Sequence, residues 1–250
     1  WCKILFAKGG GIMPTIGVST TSGIIREADA DFADARDGNG SFTTFVDLSD
    51  TDDIISSSLS RGNQFIFRAF YAFDTSGITS AVASATLDVN INGLFDTDGS
   101  GVTGILVKGA KPDLSTNLAA ADFVSAPGCT ASQSGASYAS TATAYSSAFT
   151  VTGTGALSIT FNATALSDMV SNSIFNIVIF NHDHDFTNNA PSSGDALNRF
   201  DVDGRTGGTP LVLNYTLATG YANNVNGVAA ASIGNVIGVA TANIDKINGV

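Results

Sequence analysis

The chain is poor in charge, in glutamate, in cysteine and in long apolar runs, and each shortage removes a class of protein. Charged residues make up 13% of the 250 positions and apolar residues 44%, with a mean hydropathy of +0.21. A chain so composed can bury a sizeable core, which argues against intrinsic disorder. Of the 22 acidic residues only Glu27 is a glutamate; the others are aspartates. Asp favours turns and makes poor helices, so an all-α fold is disfavoured. Lys and Arg together number 11, leaving a net charge of −11 and a pI near 4.2. Clustered cations for nucleic acid or for an anionic membrane surface are therefore missing, and neither partner is expected. The longest apolar run, Ile174 to Phe180, is broken by Asn176 and falls far below the roughly 18 residues that span a bilayer. Cys2 and Cys129 alone make no disulfide framework.

Catalytic inventory is short as well. The only histidines are His182 and His184, in the run Asn181-His182-Asp183-His184-Asp185, and no nucleophile elbow accompanies them. No glycine loop leads into Lys-Ser or Lys-Thr, so no nucleotide cofactor is implied. With so many aspartates, some pair will stand at glycosidase spacing by chance, and that pairing carries no weight. The expectation is a protein that is not an enzyme.

What is present reads as short strands between turns. Phe65 to Phe73 puts aromatics at positions 65, 67, 71 and 73, with Ala69 between them. Period two of this kind describes a strand lying on a core. Val82 to Ile91 alternates too, with Asp88 and Asn90 set between Leu87, Val89 and Ile91. Further strands are expected over 22–28, 105–107, 149–152, 157–161, 174–180, 199–202 and 211–215. Ala163 to Val170 is the one helix expected, and 127–147, rich in Ser, Gly and Ala, is expected to be a loop or weak edge strand. Many short strands with Gly- and Asp-rich turns indicate an all-β, jelly-roll-like sandwich over 13–218. Residues 1–12 contain Lys8-Gly9-Gly10 just ahead of Met13, a spacing expected of an upstream ribosome-binding sequence read in frame, or else of an N-terminal arm.

The last 32 residues differ. Aligned at period 11 they read NVNGVAAASIG, NVIGVATANID and KINGV. Val225, Val236 and Ile247 coincide, as do Gly227, Gly238 and Gly249, and Val228, Val239 and Val250. Such a register is a repeat signal. Each unit reads as strand, Gly-centred turn and strand, and the array buries too little to fold alone. The expectation is an element for attachment or oligomerisation.

Three further groups carry chemistry. In a strand, His182 and His184 would share one face and could hold a transition metal; the alternative is a strand end whose polar residues fix a turn. Asp96-Thr97-Asp98-Gly99-Ser100 resembles the first half of a calcium loop, and Asp201-Val202-Asp203 echoes it; a plain hairpin turn accounts for both equally, so a structural calcium is the only cofactor in question. Tyr138, Tyr145 and Phe149 lie in a polar region where they could form a sugar-stacking platform, or pin a loop to the core.

Two segments carry a resemblance. Arg68-Ala69-Phe70-Tyr71-Ala72-Phe73-Asp74-Thr75-Ser76-Gly77-Ile78, followed by Val82-Ala83-Ser84-Ala85-Thr86-Leu87, resembles a stretch of the DNRLRE-type, disaggregatase-related jelly-roll modules. These modules occur in secreted carbohydrate-active proteins and in phage particles. The stretch from Ile179 to Phe186, with Arg199 to Thr206 and Thr209 to Tyr215, is similar to the end of such modules, with His here where Tyr is usual. In this reading Phe73 packs inside while Asp74-Thr75-Ser76 turns the chain. The 11-residue repeat resembles the tails of structural proteins from environmental tailed phages. Together the resemblances imply a non-enzymatic virion protein, decorating the capsid or belonging to a tail or fibre. Its partners would be other virion proteins or copies of itself, with a host surface glycan as a further partner. The alternative they leave open is a secreted, extracellular carbohydrate-binding module.

Overall fold

The computed structural model describes residues 13–40, 45–48, 52–129, 136–192, 197–204, 208–209 and 211–218, together with the backbone of 235–236 and 239–240. Over these residues the fold is all-β and sandwich-like. Twelve strands pair antiparallel: β1 (Thr15–Gly17), β2 (Gly23–Asp29), β3 (Phe45–Asp47), β4 (Asp52–Ser60), β5 (Asn63–Asp74), β6 (Val82–Asp96), β7 (Val102–Lys108), β8 (Phe149–Val151), β9 (Gly155–Thr160), β10 (Ile174–Asn181), β11 (Asn198–Asp203) and β12 (Val212–Leu217). The main path of neighbours runs β1-β12-β6-β11-β4-β5-β10-β7-β8; β2 lies along β5 with β3 beyond it, and β9 lies along β6. Helices are short: α1 (Phe32–Arg36) and α2 (Ala163–Ser171), the latter opened by the Asn162 side chain accepting from the Ala165 N–H.

Two long strands organise the rest. β4 and β5 form a hairpin in which Ser60 faces Asn63, and both turn residues, Arg61 at φ 52° and Gly62 at φ 83°, are left-handed. Positive φ at both positions matches the twist of the flanking strands. β6 follows, with Ala85, Leu87, Val89 and Ile91 buried toward the sandwich interior. Phe73 is fully buried, and beyond it the Asp74 carboxylate accepts from the Ser76 backbone N–H at 3.0 Å, turning the chain as the segment's sequence implies.

The expected strands all appear, mostly one to five residues longer than the pattern indicates. β4 is a strand the pattern does not signal, because Ser56, Ser57 and Ser58 occupy its middle and are nonetheless buried. A second difference is larger. Alternation in β5 predicts one buried face, yet both are buried. Ala69, Tyr71 and Phe73 enter the core between the sheets, while Ile66 and Phe70 enter a second core on the far side. β10 divides the same way, with Phe175, Ile177 and Ile179 inward and Val178 and Phe180 outward. What covers the outer side is not a sheet. It is a layer of irregular chain: α1, a 3₁₀ turn at Ala120–Val124, a 3₁₀ turn at Tyr138–Ser140, and a wide turn at His182–Phe186. Strands buried on both faces read as near-continuous apolar runs, which is the pattern of Ile174 to Phe180.

Most of the tail repeat, including Val225, Gly227, Val228, Gly238, Ile247, Gly249 and Val250, lies outside the described residues. Within it, Asn235–Val236 pairs antiparallel with Val239–Ala240, Val236 opposite Val239.

Burial on both faces of β5 has a measurable consequence. Phe70→Ala and Phe73→Ala should each lower unfolding free energy by about 3–5 kcal/mol in urea titrations. A β5 with one wet face would lose stability at only one of the two.

Candidate functional site

The histidine-aspartate run ends β10 and opens the outer layer. His182 and His184 do not share a strand face, because the chain leaves extended geometry at Asn181 and winds through a single wide turn. Asn181 caps that turn by accepting from the His184 N–H at 3.0 Å. The His184 ring, almost fully buried, meets the Asn189 carbonyl at 2.8 Å through Nδ1; the His182 ring stacks on Phe186. The paired-imidazole arrangement is thus corrected to a turn. Among the described residues, no group of three His, Cys, Asp or Glu side chains converges as a metal ligand set.

Asp185, at the end of the run, is the partner of a fully buried arginine. Arg68 projects from β5, and its Nε and Nη2 donate to the two Asp185 carboxylate oxygens at 2.7 Å each. Nη1 donates to the Phe123 carbonyl and Nη2 donates also to the Arg36 carbonyl, at 2.9 Å each. Arg36 in turn donates from Nε to the Asp185 carbonyl at 2.6 Å and from Nη2 to the Ala136 carbonyl at 2.9 Å. Its guanidinium lies 3.6 Å from the Tyr138 ring centroid, and that of Arg68 lies 4.0 Å from Phe123. Burial alone would lower the Arg68 pKa, but the Asp185 carboxylate, Tyr138 and Cys129 together outweigh it and the pKa is raised. These polar groups are spent on one another, apart from Arg36 Nη1, which has only an ion pair with Asp37 at 3.6 Å. They hold structure and present nothing to a substrate.

The sugar-stacking platform is corrected by burial. Tyr138 is 0% exposed and Tyr145 1%. Tyr138 packs edge-on to Phe180 and Phe186, while Tyr145 stacks on Phe175 and donates its hydroxyl to Asp168. Phe149, half-buried, meets the edge of Phe200. They pin chain to core because each ring is worth more against apolar neighbours than in water. Beside Tyr138, burial pushes the Cys129 thiol up to about 12.

The aspartate loops divide. Asp96 accepts from the Gly101 N–H at 2.6 Å and Asp98 from the Ser100 N–H at 2.9 Å, so both carboxylates hold their own hairpin turn. Asp201 and Asp203 belong to β11 itself. They lie on the face of β6 and β11 that looks away from the core, since Phe200 and Val202 occupy the inner positions. On that face Arg199 grips Asp201 with Nε and Nη2 at 2.6 and 2.7 Å. Asn92 donates to both Asp52 and Asp203, and Asn90 donates to Asp203 at 2.9 Å. Farther along, Asp88 accepts from Asn214 at 2.6 Å and from Ser158 at 2.7 Å. Gly93 is required here: a Cβ would stand 2.7 Å from an Asp201 oxygen and 3.1 Å from the Phe95 ring. Phe95, opposite Arg199 and 43% exposed, is the one large aromatic among the described residues left open to solvent. The Asp88-x-Asn90-x-Asn92 alternation is the signal for this face in the sequence; nothing there ties it to Arg199 or Phe95, more than 100 positions away from each other.

No family model matches this chain, and no curated protein matches it.

Removing one member of the buried pair leaves the other charged and unsatisfied. Arg68→Met should therefore cost about 3–5 kcal/mol of stability by denaturant titration, and an effect below 1 kcal/mol would show the pair to be dispensable. Alkali gives an independent check. Burial raises Cys129 and Tyr145, and also Tyr71, above their ordinary values of 9.0 and 10.0. The unfolded chain therefore ionises first, and stability should be complete below pH 9 and fall progressively above it. A thermal melting point that stays flat from pH 8 to 11 would contradict this.

Proposed function

We propose that the chain is a non-enzymatic structural protein of a bacteriophage particle, displayed on the capsid or on a tail or fibre, with its C-terminal repeats serving attachment or oligomerisation. The observation that carries this reading is the 11-residue repeat beginning directly after the last strand of the sandwich. β12 ends at Leu217, and the Ala218 N–H donates to the Ala81 carbonyl at 2.7 Å, so the sandwich closes there. The repeat then follows with Val or Ile at fixed positions and no core of its own. Beside the exit point, Leu217 is exposed and an apolar groove of about 430 Å³ runs between α2 and β6, lined by Ala81, Val82, Leu166 and Val170. A surface of this character suits seating β-branched residues. The resemblance to jelly-roll modules with phage-type tails points the same way, and the buried, mutually satisfied polar groups fit a structural role.

Antibody labelling of purified particles tests the reading directly, and absence of the chain from them would end it. The division of labour predicts a second result. Deleting residues 220–250 should leave the melting temperature within a few degrees of the full chain, while oligomerisation or particle incorporation is lost. Unfolding of the truncated protein would instead make the repeats part of the sandwich core.

A further inference from the structure

We infer that the outward face of β6, β11 and β4 is a binding site for a neutral glycan, centred on Phe95, Arg199, Asn92 and Asp52. This inference does not depend on the virion reading; a display module and a secreted one would use the site alike.

The face has two ends of different character. At one, Phe95 on β6 and Leu197 just before β11 are exposed, 43% and 47%, and the register of the two strands sets Arg199 opposite Phe95. The Arg199 guanidinium lies 4.8 Å from the Phe95 ring centroid, which fixes the ring while leaving part of it in water. At the other end the side chains are short, polar and already tied together. Asp201 and Asp203 are nearly buried and form the floor. Arg199, Asn92 and Asn90 are bonded to them, and the exposed Asp52 is bonded to Asn92. Both amide hydrogens of Asn92 are used in this way, so what it offers outward is an acceptor, as does Asp52; Arg199 keeps a further donor nitrogen. Immobilised polar groups lose little entropy on binding, which is the main cost of recognising a small polar ligand.

An apolar patch beside a fixed array of donors and acceptors matches a pyranose ring, which has an apolar C–H face and a rim of hydroxyls. Three strands at about 4.8 Å spacing give a floor on the order of 10 Å across, the scale of one or two sugar rings. Charge selects among glycans. Asp201 is bonded to Arg199, Asp203 and Asp52 lie farther along the same face, and the chain as a whole carries −11. Uronic acids and sulfated sugars would meet repulsion, so the ligand is an uncharged saccharide.

The test uses the full chain in affinity electrophoresis and on a glycan array, against neutral polymers (glucan, galactan, mannan) and acidic ones (alginate, hyaluronate). Retardation by at least one neutral polymer is expected, with no response to the acidic ones. Phe95→Ala should weaken that binding at least tenfold, Asn92→Ala should weaken it measurably, and Met13→Ala, an exposed apolar control, should leave it unchanged. Circular dichroism melts of each variant separate loss of binding from loss of fold. The proposal is overturned if no neutral glycan binds, if only acidic glycans bind, or if binding survives Phe95→Ala and Asn92→Ala in folded protein.

Discussion

The buried contact between Arg68 and Asp185 is what the outer half of this molecule depends on. Two charges taken out of water are costly, and their attraction repays that cost only when every remaining hydrogen-bonding group is satisfied. Here satisfaction comes from five separate pieces of chain. β5 supplies Arg68, the wide turn after β10 supplies Asp185, α1 supplies Arg36 and its carbonyl, the 3₁₀ turn supplies the Phe123 carbonyl, and the loop before Tyr138 supplies the Ala136 carbonyl. None of these coil segments is long enough to be stable on its own. The ion pair gives them a common anchor on a strand, and the aromatic rings stacked on both guanidiniums seal it from water.

This explains how an antiparallel sheet comes to be wet on neither side where β5 and β10 pair. Irregular chain cannot cover a sheet by forming a second ladder, so it must bring its own polar satisfaction. The arginines do that, donating to main-chain carbonyls that would otherwise be stranded in an apolar layer. Cys129 and Tyr138 fill the same layer, which accounts for their resistance to ionisation. The face of β6 and β11 is the opposite case. It keeps its aspartates and asparagines in mutual hydrogen bonds, with the Thr209 N–H also donating to Asp203 at 3.0 Å.

Much of the fold was legible because burial imposes a period of two. Leu87, Val89 and Ile91 could be assigned inward from spacing alone, and α2 was legible as the run Ala163 to Val170, whereas its Asn162 cap and its buried Ala165 and Met169 come from the structure. β4 was illegible since three consecutive serines do not look like an interior strand; their burial is a property of the partners, not of the residues. The site residues were harder still. Tyr138 and Tyr145 sit in polar sequence that left a platform or a pinned loop open, and their ring neighbours come from β10 and the turn after it, 30 or more positions on. Arg68 and Asp185 lie in two segments read separately in the sequence, 117 positions apart. Nothing short of the fold relates them.

The pairing of β12 has a mechanical meaning. β12 lies antiparallel to β6 from Val212 to Leu217, with β1 bonded along its other side. A load that enters at Leu217 and is directed along the strand pulls β12 lengthwise between two neighbours, in shear, and the ladder bonds on both sides share it. Peeling, in which bonds break one after another, would need the pull to come sideways. A domain tethered from this end is built to hold against tension.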